Sequence, residues 1–552
     1  MSQTDQTIPA SAPTLRRELH FGDRVVPCYA DRPADLGALV RATFARMAAA
    51  EAVIDGDRRM TYAGLEAASD RVAGALAAAG VAQGDRVGLL LGNRAEIVTA
   101  WVACIRLGAI AVPLNTREQK PELTYVLGNC GAKAVIFEDE LADRLPDAAD
   151  VPALTLRVAM GDGEVPAPAG ALPWAEIEAG RPFGGWAAVG EDDTAVILYT
   201  SGTTGKPKGA ELSHINIVHS CEHYVDHMAL GMDGRERSVL AVPATHVTGL
   251  VAVVALMIRV GGATVMMRAF KAAAFLKLAE AERMTFGIMV PAMYNLCLLQ
   301  PGFADCDLSS WRIGGYGGAP MPMATISRLA ELLPGLILVN AYGATETTSP
   351  STIMPLGEGA ARADTVGRPV RCAEIRIMDE AGREVPPGEA GELWIRGPMV
   401  VKGYWARPDA NAENFVSGFW RSGDIGSMDE AGYVKVFDRR KDMINRGGYK
   451  IFSAEVESEL SFHPWVSESA IVSRPCPVLG ERTHCFVMLK GEGLEKSEDE
   501  VAATLKAFLA TRLSDYKVPD YFTFGADPLP RNANGKLLKR DLRDRALAEA
   551  AA

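Results

Sequence analysis

From Leu36 onward the apolar positions Leu36, Leu39, Val40, Phe44 and Met47 recur at helical spacing and predict an amphipathic helix. A hairpin is expected next, with AVI and RRMTY flanking the turn Asp55-Gly56. A second helix is predicted from about Tyr62 to Ala79, closed by Gly80, whose missing Cβ suits a helix C-cap. DRVGLLLGN then reads as a buried strand, followed by a helix near Ala95 to Leu107 and the strand AIAVPLN. Strands alternating with helices argue for a mostly parallel sheet in an α/β domain. Residues 1 to about 34 show no clear periodicity and are expected to wrap the first domain as an extended arm.

Between about Asp143 and Asp193 the composition shifts to Ala, Pro, Gly and acidic residues, which reads as surface connection. The α/β pattern resumes with TAVILYT and continues to about Ile353. Residues 362–437 carry short strands (EIRIMD, GELWIRG, YVKVFD) between Gly and Pro turns, as in a β-rich, barrel-like subdomain. After Asp438 a small α+β unit is expected, with strands ESAIVS and CFVMLKG and a helix presenting Val501, Leu505, Phe508 and Leu509 on one face. The expected architecture is therefore α/β. A large N-terminal domain (1–437) of α/β subdomains plus a β-barrel-like subdomain precedes a small α+β C-terminal domain (438–552) on a hinge.

Composition narrows the functions open to such a chain. Its 552 residues are 48% hydrophobic and 23% charged, an ordinary globular balance. Lys and Arg total 57 against 69 for Asp and Glu, a formal charge of −12. That balance argues against nucleic acid or an anionic membrane as partner, but leaves room for a pocket that holds a small anion. The cysteines (Cys28, Cys104, Cys130, Cys221, Cys297, Cys306, Cys372, Cys476, Cys485) form no CxxC pair, which suits reduced thiols in the cytoplasm. The start lacks a basic region followed by an apolar one, so no signal peptide is expected. The longest strongly apolar stretch, Gly249 to Ile258, is about half a membrane span, so no integral membrane association is expected.

The strongest local signal lies in residues 194–214, TAVILYTSGTTGKPKGAELSH. A buried strand runs into Thr200, Ser201, Gly202, Thr203, Thr204, Gly205, Lys206, Pro207, Lys208 and Gly209. Its glycines admit close backbone approach, while the hydroxyls and two lysines supply donors for phosphate oxygens. A plain polar loop would not crowd donors in this way. The Walker A pattern fails, because Gly202 and Gly205 stand too close together and Pro207 follows the lysine. No GxGxxG joins a strand to a helix here either. The loop suggests triphosphate binding on a different scaffold.

Further motifs follow in order: GGYGGAP (314–320), AYGATETT (341–348), WRSGDIG (420–426), VFDRRKDMINRGGYKIFSAEVE (436–457) and PRNANGK (530–536). From about residue 35 to 545 the sequence closely resembles the adenylate-forming superfamily of acyl-CoA and aryl-CoA synthetases, firefly luciferase and carrier-protein-loading adenylation domains. The resemblance implies that Gly318, Ala319 and Pro320 lie against adenine, that Tyr342 stacks on it beside Gly343, and that Thr345 donates to the α-phosphate. Glu346 would hold Mg²⁺, and Asp424, after Ser422 in place of the usual Thr, would take the ribose hydroxyls with Arg439. Asp438 is the implied hinge, and Gly447 and Gly448 border the implied path of the coenzyme A thiol. Lys536 matches the lysine that reaches the carboxylate and α-phosphate, with Asn534 where relatives often carry Thr or Ser.

The same resemblance makes PATHVTGLVAVVALMI (243–258) the acid-pocket segment, with His246, Gly249, Tyr316 and Gly317 as its contacts. His246 would touch the substrate carboxylate. The segment carries no Asp or Glu to pair an α-ammonium, which argues against an amino-acid substrate. An apolar monocarboxylic acid, fatty or aryl, is expected, activated by ATP to acyl-AMP with loss of pyrophosphate and then transferred to coenzyme A. Two alternatives stand beside this: loading of an acyl carrier protein, and a nucleotide-binding regulator without catalysis. Lys536 resembles a lysine acetylated in some bacterial relatives, which implies an acetyltransferase and deacetylase as partners, and a homo-oligomer is compatible with the sequence. Separately, His219, His223 and His227 fall at i, i+4 and i+8 beside Asp226, a spacing that suits a transition metal as well as an ordinary helix face.

Overall fold

A computed structural model describes residues 13–161, 168, 170–200, 206–531 and 537–551. The chain divides into two compact units, Met1–Ile375 with Ile395–Arg421, and Arg376–Trp394 with Ser422–Ala552.

Three larger sheets make up the body of the first unit among the described residues. In the largest, seven strands run in the order Lys208–Ser213, Thr194–Thr200, Ile110–Pro113, Arg86–Leu90, Ala134–Glu138, Leu156–Met160 and Leu172–Pro173. Every neighbouring pair is parallel except the first, which is an antiparallel hairpin. The helices arise where the apolar spacing places them. Leu36–Met47 starts at Asp35, whose side chain accepts the Ala38 N–H. Tyr62–Ala78 starts at Thr61, which accepts from Gly64, and Gly80 follows at φ +91°. Ala95–Leu107 is buried throughout and ends at Gly108 in the left-handed region. Caps of this kind satisfy the amides and carbonyls that a helix end leaves unpaired.

A second sheet orders Arg237–Leu240, Ala263–Met266, Glu51–Asp55 and Arg58–Thr61. A third runs Phe286–Met289, Ile313–Tyr316 and Ile337–Tyr342 in parallel, then Thr352–Ile353 and Arg368–Pro369 antiparallel. The apolar stretch after His246 is buried except at Thr248 and Arg259, which are half-buried. A single turn, Val247–Gly249, opens into a π-helical segment, Leu250–Ala255, and closes as Leu256–Val260. Among the described residues no helix is long and apolar enough to cross a membrane.

Two expectations need correction. The N-terminal arm is not simply extended: Leu15–His20 and Arg24–Tyr29 pair as an antiparallel hairpin that turns at Phe21 and Gly22, both at positive φ. Its alternation is inverted, which hid it. Polar His20 and Arg24 are buried, while Leu19 and Val25 are 62% and 51% exposed. Likewise the stretch from Asp143 to Asp193 is not all connection, because Leu156–Met160 and Leu172–Pro173 extend the seven-stranded sheet and Trp174–Glu178 is helical. Four buried residues in Leu156–Met160 suffice for a strand, and they were lost among the neighbouring Ala, Pro and Gly.

Around residues 374–439 five short strands form the β-rich sheet expected there, with Phe419–Met428 pairing Val434–Arg439 so that Asp424 faces Arg439. In the second unit Val466–Cys476 and Gly480–Leu489 form a long hairpin, with Tyr521–Gly525 parallel to its second strand. The helix Glu498–Ala510 buries Val501, Leu505 and Leu509 in this unit's core beside Ile444, Ile471 and Val487.

Candidate active site

Chemistry-bearing residues of the first unit gather where parallel strands end. The loop from Thr200 follows one carboxyl end, His246 follows Arg237–Leu240, Gly317 to Pro320 follow Ile313–Tyr316, and Gly343 to Glu346 follow Ile337–Tyr342. Open parallel sheets place ligands at this edge, since the crossovers leave it free for loops.

At the phosphate loop, Thr200 stands opposite Lys208 across the hairpin. Ser201, Gly202, Thr203, Thr204 and Gly205 lie outside the described residues, as does Lys536. The far side of the loop is anchored by Tyr125, whose hydroxyl donates to the Pro207 carbonyl at 3.2 Å and whose ring lies 5.0 Å from the Lys206 ammonium. Lys208 sits 5.0 Å from the Tyr404 ring. The Tyr404 hydroxyl donates to Oε1 of Glu346 at 2.8 Å. One aromatic side chain thus joins the loop lysine to the carboxylate. Sequence reasoning missed Tyr404, which no motif spacing ties to Glu346. Glu346 is half-buried, lies in the short helix Thr345–Thr347, and offers Oε2 without a hydrogen bond from the described residues.

Glycine is required where strands approach closely. A Cβ on Gly317 would stand 2.3 Å from the Ala341 carbonyl oxygen. One on Gly249, in the turn after His246, would stand 2.1 Å from the Pro243 carbonyl oxygen, so a larger residue there would force the backbone apart. Tyr316 is buried, and burial pushes its phenol up to about 12, so it stays neutral. Gly318, Ala319 and Pro320 are exposed, while Tyr342, Gly343 and Thr345 are half-buried. His246 is half-buried and begins the turn Val247–Gly249.

The segment before His246 has an anchor that sequence reasoning also missed. The buried amide of Asn93 donates from Nδ2 to the Leu240, Val242 and Met267 carbonyls at 2.9, 3.0 and 3.0 Å, and its Oδ1 accepts the Ala244 N–H at 2.8 Å. It ties together four backbone groups at and just beyond the ends of Arg237–Leu240 and Ala263–Met266. An Asn after Gly92 reads as a turn, so only the fold reveals this role.

In the second unit Asp424 is buried and its Oδ1 meets Nε of Arg439 at 2.7 Å. Ser422 accepts the Asp424 N–H at 2.9 Å, so Ser supplies the hydroxyl that Thr would supply. Asp438 is also buried and accepts the N–H groups of Arg439 and Ser453 at 2.8 and 2.5 Å. Gly447 and Gly448, at φ +60° and +93°, form the tight turn between Ile444–Arg446 and Tyr449–Ile451. Paired positive φ values are what a two-residue hairpin needs, and glycine adopts them without strain. Nothing lies within 4 Å of where a Gly448 Cβ would be.

Residues 40–405 match the family of AMP-binding enzymes, and residues 455–536 match the AMP-binding enzyme C-terminal domain. The chain belongs to the AMP-binding, adenylate-forming enzymes. Within this family it is 38% identical over 496 residues to feruloyl-CoA synthase of Amycolatopsis sp, covering 90% of this chain and 96% of the relative. It is 34% identical over 495 residues to the long-chain-fatty-acid–CoA ligase FadD13 of Mycobacterium tuberculosis, covering 88% and 93%. Among solved structures it resembles o-succinylbenzoate coenzyme A synthetase from Bacillus subtilis in complex with ATP and magnesium ion, with a TM-score of 0.79 at 30% identity, covering 92% and 99%. It is an AMP-forming acid–CoA ligase.

The histidine series stands apart from this ligase's strand-end loops. His219 and His223 are fully buried on the helix His214–His227, and burial drives both imidazoles below their usual range, His219 to about 3. The His219 and His223 rings lie 6.2 Å apart and those of His223 and His227 6.5 Å. Nδ1 of His219 lies 3.1 Å from the Ile215 carbonyl, and Nε2 of His227 accepts the Arg371 N–H at 3.0 Å. Among the described residues the three do not bring ligand atoms within 4.8 Å of one another.

Proposed function

We propose that this ligase activates an apolar monocarboxylic acid, aryl or fatty, and transfers the acyl group to the thiol of coenzyme A. The observation that carries the substrate class is the buried stretch Val247–Val260. It holds no acidic residue, and its one charge, Arg259, is already paired with Glu222 at 2.6 Å. An α-ammonium brought there would lack a carboxylate partner, and an unpaired buried charge is costly. His246, with Gly249, Tyr316 and Gly317, is assigned to the acid.

A carboxylate acylates poorly because its oxygen leaves badly. In the first step one carboxylate oxygen bonds to the α-phosphorus of ATP and pyrophosphate departs. Thr200 to Lys208 receive the phosphates, Thr345 donates to the α-phosphate, and Gly318 to Pro320 with Tyr342 and Gly343 hold adenine. Asp424 and Arg439 take the ribose. Magnesium, which the succinylbenzoate enzyme binds with ATP, would supply charge neutralisation, and the hard, partly exposed carboxylate of Glu346 suits it. Tyr404 orients that carboxylate through Oε1. Lys536 is assigned to the carboxylate and α-phosphate in this step.

In the second step the sulfur of coenzyme A bonds to the acyl carbon, AMP leaves, and the thiol proton passes to solvent. The open face at Gly447-Gly448 is assigned to the thiol's approach, with Asp438 as the hinge between the two steps.

Acid-dependent ATP–pyrophosphate exchange over a panel of aryl, fatty and amino acids tests this reading, followed by thioester assays with coenzyme A and with holo-carrier protein. Exchange with ferulate-like or fatty acids and product with coenzyme A is expected. The higher identity to feruloyl-CoA synthase puts aryl acids first. Exchange only with amino acids, or product only with carrier protein, overturns it.

A further inference from the structure

The N-terminal hairpin carries a constellation that the ligase reaction does not use. Among the described residues, Glu18, His20 and Cys28 are the one group of three potential metal ligands whose donor atoms all lie within 4.8 Å of one another. Cys28 and His20 are buried, and the Glu18 side chain is 17% exposed. The imidazole is already oriented. Nδ1 of His20 lies 2.8 Å from Oδ1 of Asp192, whose Oδ2 accepts the Phe21 N–H at 2.7 Å. A carboxylate on Nδ1 fixes the proton there and leaves Nε2 as a bare lone pair, the arrangement found behind metal-bound histidines. That Nε2 is buried without a hydrogen-bond partner and points at Oε2 of Glu18, 3.5 Å away.

The metal-free rival is an imidazolium bridging Asp192 and Glu18. It accounts for the Asp192 contact, but 3.5 Å is too long for a charge-assisted hydrogen bond, and it gives Cys28 no part. The surrounding charge does not forbid a cation. Three cations, Arg16 and Arg32 on Glu18 and Arg24 beside Asp23, face four carboxylates, Glu18, Asp23, Glu191 and Asp192. One helical turn beyond Ile215, which packs on Cys28, His219 also keeps a buried Nε2 without a partner.

We propose that Glu18, His20 and Cys28 bind a borderline divalent cation, with zinc as the reference ion. Carboxylate oxygen, imidazole nitrogen and thiolate sulfur are the three donor types zinc accepts, at roughly 2.0–2.3 Å from the metal. Tetrahedral bonds of that length set the donors roughly 3.3–3.7 Å apart, a spacing that Nε2 of His20 and Oε2 of Glu18 already have at 3.5 Å. Because the thiolate is the ligand, the metal displaces the Cys28 proton to solvent on binding. Three protein donors leave the fourth tetrahedral position to a water. The same hairpin presents Arg24, which donates to the Val401 and Lys402 carbonyls at 2.8 Å each, beside Tyr404.

The test uses the untagged full-length chain, loaded with zinc, passed over a chelating resin and measured for bound zinc by atomic emission. Stoichiometric zinc is expected in the wild type, with at least about a tenfold loss in affinity for Cys28→Ser and His20→Gln. Asp192→Asn should weaken binding about 10–100-fold. Cobalt loading should give a thiolate-to-metal charge-transfer band that Cys28→Ser abolishes, and zinc should raise the wild-type Tm alone. Circular dichroism identifies any variant that fails to fold, and the wild-type cobalt band stands independently of the variants. A wild type that retains no zinc and shows no cobalt–thiolate band overturns the site, as does zinc retained equally by folded Cys28→Ser.

Discussion

At Tyr404 a single side chain meets both charges that a triphosphate site needs, the ammonium of Lys208 over its ring and the carboxylate of Glu346 at its hydroxyl. Tyr404→Phe keeps the ring and removes only the hydroxyl. A hydrogen bond to a charged group contributes about 1.5–3 kcal/mol, so ATP–pyrophosphate exchange should fall about 10–100-fold with Tm nearly unchanged. An unchanged exchange rate would show that the Tyr404 hydroxyl does not orient Glu346 for the reaction. Glu118 gives a pH prediction of its own. Burial, aided by the charge of Glu122, pushes its carboxyl up to about 7, and its Oε2 is buried without a partner. The folded state therefore keeps a proton that the unfolded chain loses near pH 4.3, and stability falls as pH rises from there through about 7. Glu118→Gln should gain stability at pH 8 relative to pH 4.5, by at most about 3 kcal/mol at 1.36 kcal/mol per unit. Equal changes in Tm at both pH values would contradict it. The candidates that the sequence offers at this scale, such as Glu346 and Asp424, lie in contiguous motifs. Tyr404 and Asn93 act across long separations, and residue spacing holds no trace of such contacts.

At the scale of elements, the turn Gly447-Gly448 carries the sharpest claim. Gly448→Trp places an indole where nothing lies within 4 Å, so it should obstruct the thiol's approach rather than disturb the core. The left-handed conformation costs a non-glycine residue roughly 1–2 kcal/mol, which the second unit must absorb. Acid-dependent ATP–pyrophosphate exchange should persist while thioester formation stops. Loss of both with a preserved Tm would take this turn off the thiol's path. Elements with a clean apolar period, such as Leu36–Met47 and Glu498–Ala510, were legible because one physical cause, burial of one face, set both sequence and structure. The N-terminal hairpin was illegible for the opposite reason. Its inward face mixes the polar Glu18, His20 and Arg24, held by Asp192, Arg32 and the 400–402 carbonyls, with Val26 and Cys28, which pack on Ile215, so no clean apolar alternation shows. Leu156–Met160 was masked by its neighbours' composition, since a five-residue strand barely alters a local average.

At the scale of the whole molecule, two chemically different steps must share one set of substrates, and the charge that helps the first does not help the second. Pyrophosphate departure concentrates negative charge at the α-phosphate, where a lysine ammonium is worth most. Thiol attack on the acyl-adenylate builds charge at the carbonyl instead. The net charge of −12 says nothing about this, because a few cations placed locally outweigh any average. Lys536→Ala should therefore lower adenylation by at least about 10²–10³-fold, the cost of removing one preorganised donor, while sparing thioester formation from supplied acyl-AMP. With Gly448→Trp doing the reverse, the two variants would dissociate the half-reactions in opposite directions, a pattern that general destabilisation cannot mimic. Each step is read separately: isotope exchange into ATP for the first, release of AMP from synthetic acyl-AMP and coenzyme A for the second. If Lys536→Ala loses both equally while its Tm holds, the lysine serves both steps, and the assignment of separate groups to the two half-reactions fails.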